Sequence, residues 1–245
     1  MKKNVIILTH GWTGSSVFTG LIGRAGYNYG DQTFQKCDYD THENVELVEL
    51  NKRMLTELGY AGDHEHEFSQ EVVDELASKA ENLDLTPYKE FVDRCNNNRP
   101  WIWKDPRLTW TIRIWSKLLS FDETAYIILT REDEQAWISS NLRRHIQSMK
   151  FTKDYNHGIT SSLKKYLTEH QQQYLEFTFE DLLLRPEFTV EALNKFLECS
   201  LTMDDVKAIY RYPLYRKSKG FKDKLKALAI YLKNYSQRDN GMHKS

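Results

Sequence analysis

The chain has 245 residues, with 34 Lys and Arg against 35 Asp and Glu and a formal net charge of −1. That length suits one large α/β domain with a well-buried core. The near-neutral balance sets aside a protein that grips nucleic acid or an acidic polymer by bulk charge. Charge is nonetheless uneven. Residues 63–84 carry eight acidic side chains and one Lys, whereas residues 214–239 carry eight basic and two acidic ones. The first stretch reads as a solvated acidic helix, and the second as a solvated basic helix or a segment that closes over an anionic ligand. Cys37, Cys95 and Cys199 are odd in number and lack metal-ligand spacing, which argues against a disulfide framework or a zinc site. The opening Met1-Lys2-Lys3 precedes too short an apolar run for a secretory signal, and no run approaches the ~20 apolar residues of a membrane span. The expectation is a cytoplasmic protein without a membrane span, a metal or a nucleic-acid partner.

In chain order, Asn4–Thr9 reads as a buried strand, apolar without alternation, as in a parallel sheet covered on both faces. Ser15–Ala25 reads as a helix stopped by Gly26. Residues 27–42, with Gly30, Asp31, Asp38 and Asp40, read as loop. An apolar face of Val45, Leu47, Val48, Leu50, Met54, Leu55 and Leu58 predicts a helix over Glu43–Leu58, stopped by Gly59. Surface helices follow at 67–82 and 86–95. Pro100–Lys104 is a second strand, and Asp105-Pro106 opens a helix over Arg107–Leu119. Thr124–Thr130 is a third strand, followed by a helix over Glu132–Ser148. A helix near 159–172 leads to a fourth strand, Tyr174–Phe179, and helices at about 187–198, 203–210 and 221–235 complete the chain. Strands alternating with helices predict a three-layer, P-loop-like α/β fold with a mainly parallel central sheet, as a single domain over 1–245.

Two junctions carry the chemistry. At the first, Val5–Ser16, a strand runs into His10-Gly11-Trp12-Thr13-Gly14-Ser15-Ser16, where glycines and helix-start amides can cradle a phosphate. The same His-Gly-aromatic segment is compatible with an α/β-hydrolase oxyanion loop, but the chain has no Gly-x-Ser-x-Gly nucleophile elbow. The Walker spacing is also absent, and the loop holds no Lys, which disfavours a metal-dependent nucleotide kinase. At the second junction, Tyr126–Thr130 ends in Arg131 and is followed eight residues later by Ser139, so that cation and hydroxyl can share one anionic group. Two anion sites on one sheet imply a ligand with two separated phosphates.

These pieces, with the turn Lys104-Asp105-Pro106-Arg107 and the segment Thr178–Glu187 continuing to Phe196-Leu197, resemble the sulfotransferases, especially their bacterial and tyrosylprotein-like branches. The similarity spans about residues 4–198 in islands. It implies 3′-phosphoadenosine 5′-phosphosulfate (PAPS) as co-substrate and sulfuryl transfer to a hydroxyl or amine, with carbohydrate slightly favoured by the aromatic content. It places the 5′-phosphosulfate on Gly11, Trp12, Thr13, Gly14, Ser15 and Ser16, and the 3′-phosphate on Arg131 and Ser139, with Arg216 and Lys217 covering it. It makes Lys104 a contact of the transferring group and Glu43, with His42 and His10 behind it, the base. The chain departs from the family pattern where Trp12 or Thr13 stands in place of a loop cation, so backbone amides, Lys104 and His10 are expected to compensate. Without the sulfuryl donor chemistry, the alternative is a catalytically inactive nucleotide-binding protein. Trp101, Trp103, Trp110 and Trp115 read as core, and Trp12 as a residue that stacks on ligand. The acceptor entrance is expected at the 63–84 helix and the loops at 27–42 and 150–158.

Overall fold

The computed structural model describes residues 3–37, 39–62 and 67–239. Asp38 and residues 63–66, the start of the acidic stretch, lie outside them. The elements in order are β1 (Asn4–Thr9), α1 (Ser15–Gly23), β2 (Thr33–Gln35), β3 (Asp40–Asn44), α2 (Val45–Glu57), α3 (Gln70–Lys79), α4 (Thr86–Asn96), β4 (Ile102–Lys104) and α5 (Leu108–Trp115). They continue with β5 (Thr124–Thr130), α6 (Asp133–Leu142), α7 (Met149–Glu169), β6 (Tyr174–Thr178), α8 (Phe179–Leu184), α9 (Pro186–Leu197), α10 (Met203–Ile209) and α11 (Phe221–Lys233).

β4, β1, β5 and β6 form, in that order, an all-parallel sheet. Alternate residues of each strand feed two cores. Ile6, Leu8, Trp103, Tyr126 and Ile128 pack with α2, α3, α4, α5 and α7 on one face, and Val5, Ile7, Ile102, Ile127 and Phe177 pack with α1, α8, α9 and α10 on the other. Both faces are covered, which is why β1 reads as an unbroken apolar run. Trp101, Trp103, Trp110 and Trp115 are all buried in the first core. Much of the chain's aromatic content therefore serves packing, which removes the ground for favouring a sugar acceptor.

Three regions differ from the sequence expectation. Residues 27–42 are not all loop, because β2 and β3 form an antiparallel hairpin. The hairpin is fastened by polar side chains: Thr33 Oγ1 donates to Asp40 Oδ2 at 2.8 Å, and Thr41 Oγ1 donates to the Phe34 carbonyl at 2.8 Å. The helix after β5 stops at Leu142 rather than Ser148. Asn141 Nδ2 and Trp137 Nε1 both donate to the Gln147 carbonyl, and this turns the chain back. Residues 150–158 are helical, because Ser148 caps the start of α7 and Phe151, Tyr155 and Ile159 share one inward face.

Candidate active site

The chain leaves β1 toward β4 on one side and leaves β5 toward β6 on the other, so the carboxyl ends of β1 and β5 flank the switch point of the sheet. Open α/β sheets form their ligand crevice there. The first loop and Arg131 leave from these two ends.

The loop is held from below by two buried threonines. Thr9 and Thr13 share a hydroxyl hydrogen bond of 2.5 Å, and Thr13 Oγ1 also donates to the His10 carbonyl at 3.3 Å. Trp12 and Gly14 lie in the left-handed region, at φ 68° and 74°. Gly14 is required twice over, because a Cβ there would also run into the Phe179 ring. The Val17 amide bonds back to the Gly14 carbonyl at 3.0 Å, so the amides of the loop and of Ser15 and Ser16 precede the α1 ladder. A Cβ on Gly11 would meet nothing within 4 Å, which leaves open space against that backbone.

His10 is buried. Its Nδ1 lies 2.8 Å from the Gly11 carbonyl and its Nε2 has no partner. Burial pushes its pKa down to about 4, so the ring is neutral near neutral pH and brings no cation to the loop. The expected compensation from His10 is thereby corrected.

Glu43 stands at the penultimate position of β3, not in the first turn of a helix as expected. The next residue, Asn44, caps α2 by accepting the Leu47 amide at 3.1 Å. Lys104 ends β4, beside β1, and is only 2% exposed. Its ammonium donates to Glu43 Oε1 at 2.5 Å, the partner that a buried lysine requires. Asp105 shapes the turn. It accepts the Arg107 amide at 3.0 Å, the Arg107 guanidinium at 3.0 Å and Asn51 Nδ2 at 2.9 Å. Asn51 in turn accepts Thr111 Oγ1 at 2.7 Å and Trp115 Nε1 at 2.8 Å, which locks α2 to α5. His42, at φ 54°, stacks on Tyr29 with ring centroids 4.8 Å apart, and burial lowers its pKa.

Arg131 is a junction. Its Nη1 donates to the Trp12 carbonyl at 2.9 Å, its Nε faces Glu180 at 3.4 Å, and its Nη2 donates to Ser218 Oγ. Burial opposes the charge on both members of the Arg131–Glu180 pair, lowering the arginine and raising the carboxyl. Glu180 gains further support from the Glu132 amide at 2.9 Å. Ser139 is buried on α6 and its hydroxyl has no partner. Among the described residues no hydrogen bond joins it to Arg131.

The C-terminal segment does reach this site, but through residues that the sequence reading passed over. Ser218 touches Arg131, and Lys219 exchanges hydrogen bonds with Gln135 through its amide (3.0 Å) and carbonyl (3.1 Å). Lys217 pairs with Glu132 instead, and Arg216 is exposed. The only sequence signal for Ser218 and Lys219 was their place inside the basic 214–239 stretch. Arg143 had no signal at all. Its guanidinium lies 4.6 Å from the Trp12 ring centre, and the His145 ring lies 4.8 Å from the same indole. Trp12 is thus the platform for a cation delivered from the end of α6.

Two of the segments assigned to the acceptor entrance line grooves. Residues 28–32 border one of about 430 Å³, and Glu67, Phe68, Ser69 and Val72 border one of about 240 Å³. Neither groove includes the first loop, Glu43, Lys104 or Arg131. Among the described residues no cluster of three or more His, Cys, Asp and Glu is arranged to hold a metal ion.

No protein-family model and no curated protein sequence matches the chain. Solved structures do. The sulfotransferase domain from the Synechococcus PCC 7002 olefin synthase superposes with a TM-score of 0.52 at 15% identity, over 95% of this chain and 96% of that one. The sulfotransferase domain from the curacin biosynthetic pathway superposes at 0.50 with 16% identity, over 91% of this chain and 82% of that one. The chain has a sulfotransferase fold. In that fold the all-parallel sheet presents the first loop, the Lys104–Glu43 pair and Arg131 along its carboxyl edge.

Proposed function

We propose that this chain transfers a sulfuryl group from PAPS to a hydroxyl or amine of a small-molecule or glycan acceptor. The observation that carries the reading is the pairing of buried Lys104 with half-buried Glu43 at the carboxyl end of the sheet, Lys104 standing on the strand next to the one that opens the glycine-containing loop. The sulfotransferase fold supports the reaction class. The residues also suit the donor: Ser139 offers a buried hydroxyl without a partner, and Gly11 borders open space.

Bound PAPS supplies the sulfuryl group, which bonds to the acceptor oxygen or nitrogen as the bond from sulfur to the 5′-phosphate oxygen breaks. Glu43 takes the acceptor's proton on a carboxylate oxygen. Neutralising Glu43 releases Lys104, whose ammonium then stabilises charge on the departing phosphate oxygen. The amides of residues 11–16 hold the 5′ end at the start of α1. Arg131 and Ser139 hold the 3′-phosphate, with Ser218 exchanging its bond to Arg131 for one to the ligand. Arg143 on Trp12 brings positive charge to a loop that has none of its own. None of these roles calls on a metal ion.

The test is calorimetric titration with 3′-phosphoadenosine 5′-phosphate beside 5′-AMP, ADP and ATP with magnesium, followed by radiolabelled sulfuryl transfer from PAPS to a panel of acceptors. Selective binding of the 3′-phosphorylated nucleotide and label transfer are expected. Preference for ATP with magnesium would move the protein to the kinases. Selective binding without transfer to any acceptor would leave a nucleotide-binding protein.

A further inference from the structure

Helix α11 packs on α6 by one narrow edge. Ala227 is fully buried there, with Tyr231 against Trp137 at 5.8 Å between ring centres. A second edge is apolar and faces outward. Phe221, Leu225, Leu228, Leu232 and, just past the helix, Tyr235 are 73, 50, 42, 61 and 48% exposed. Their spacing of four, three, four and three places them in one straight stripe about 20 Å long. Such a stripe exceeds the scattered single apolar residues normal for a surface.

The stripe's flank decides what would cover it. Lys222, Lys226 and Lys233 form a row on the side away from α6, all exposed, and no acidic side chain among the described residues pairs with them. Lys224, on the opposite flank, is tied to Glu134. The helix holds four lysines and one aspartate, so a second copy would bring like charge against like. Leucines in the middle, aromatic rings at both ends and a row of free cations alongside make the composition of a helix that lies in a bilayer surface. Among the described residues no helix is long and apolar enough to cross a membrane, so any contact of this kind is peripheral.

We propose that α11 docks this protein on an anionic phospholipid surface, with the Phe221–Tyr235 stripe among the acyl chains and Lys222, Lys226 and Lys233 on the head groups. The proposal stands apart from the donor chemistry, because none of these residues touches Arg131, Lys104 or the first loop.

The experiment is flotation of the full chain with phosphatidylcholine vesicles, with and without phosphatidylserine, alongside sedimentation velocity. Binding only to the phosphatidylserine vesicles, weakened by added salt, is expected. Lys222→Gln/Lys226→Gln/Lys233→Gln removes three surface cations and should weaken that binding about 100-fold. Leu225→Asp/Leu232→Asp should abolish it, and the lysine variant decides the matter should the aspartates disturb folding. Failure to float, equal binding to neutral vesicles, or a stripe-dependent dimer or acidic protein complex in place of lipid binding would each overturn the proposal.

Discussion

His10 gives the sharpest physical test of the first loop. The ring is buried, one nitrogen is committed to the Gly11 carbonyl, and the other is without a partner, so protonation inside the fold meets no compensating acceptor. Its pKa falls from the ordinary 6.5 to about 4. A histidine held below its unfolded value binds fewer protons when folded, so stability is full well above pH 6.5 and is lost as pH falls from there toward 4. The full difference is about 3 kcal/mol, of which about 2 kcal/mol develops between roughly pH 7 and roughly pH 5. Other groups titrate over part of that range, so the measurement should compare wild type with His10→Asn by urea denaturation at each pH. Asparagine can keep a donor toward Gly11 but does not titrate. The stability gap between the two proteins should shift by about 2 kcal/mol in favour of the variant as pH drops across that range. A gap that stays constant with pH would refute the account of His10 as a buried neutral ring. So would an NMR titration that places its pKa near 6.5.

The other predictions concern the pair, the junction and the turn. Glu43→Gln removes the countercharge of a buried ammonium and should cost about 3 kcal/mol of stability, while lowering turnover about 10²–10⁴-fold. Adding Lys104→Met should restore stability without restoring turnover, and a double variant with normal turnover would remove the pair from the chemistry. Arg131→Ala, made with Glu180→Gln to avoid leaving a lone buried carboxylate, should weaken binding of 3′-phosphoadenosine 5′-phosphate far more than that of 5′-AMP in calorimetry. Equal losses would sink the 3′-phosphate assignment. Gly14→Ala forces a left-handed alanine against Phe179 and should cost about 2 kcal/mol or more in urea denaturation.

The legible parts of the fold were those where one local force dominates. β5 matches its expected bounds because the unbroken apolar run Ala125–Leu129 lies between threonines, and β1 does so around Val5–Leu8. The β2–β3 hairpin was illegible because TFQ is only three residues long and DTHEN is mostly polar with Asp and Asn at its ends, and side-chain bonds across the turn help hold it. The start of α7 was hidden by Gly158 and its polar neighbours, whose helical state rests on packing by Phe151, Tyr155 and Ile159. At the site, Glu43 and Lys104 each follow from the sulfotransferase resemblance, yet 61 residues separate them and no local pattern in the sequence pairs them. Arg143 lay beyond reach for a similar reason. Its place over Trp12 depends on where α6 ends, and the Asn141–Gln147 contacts that end it span a turn which periodicity does not report.

The way α2 is anchored also says where this chain can change without harm. Glu43 lies directly before the Asn44 cap, and α2 is bolted to α5 and to the Asp105 turn by one buried amide, Asn51. The distance between carboxylate and ammonium is therefore referenced to the interior of the molecule and not to the hairpin that delivers Glu43. The hairpin tip, closed by the Lys36 amide on the Tyr39 carbonyl at 2.9 Å, carries none of that positioning. Exchanges there should leave the Lys104–Glu43 contact in register, because Asn51 and the Asn44 cap hold α2 from the interior.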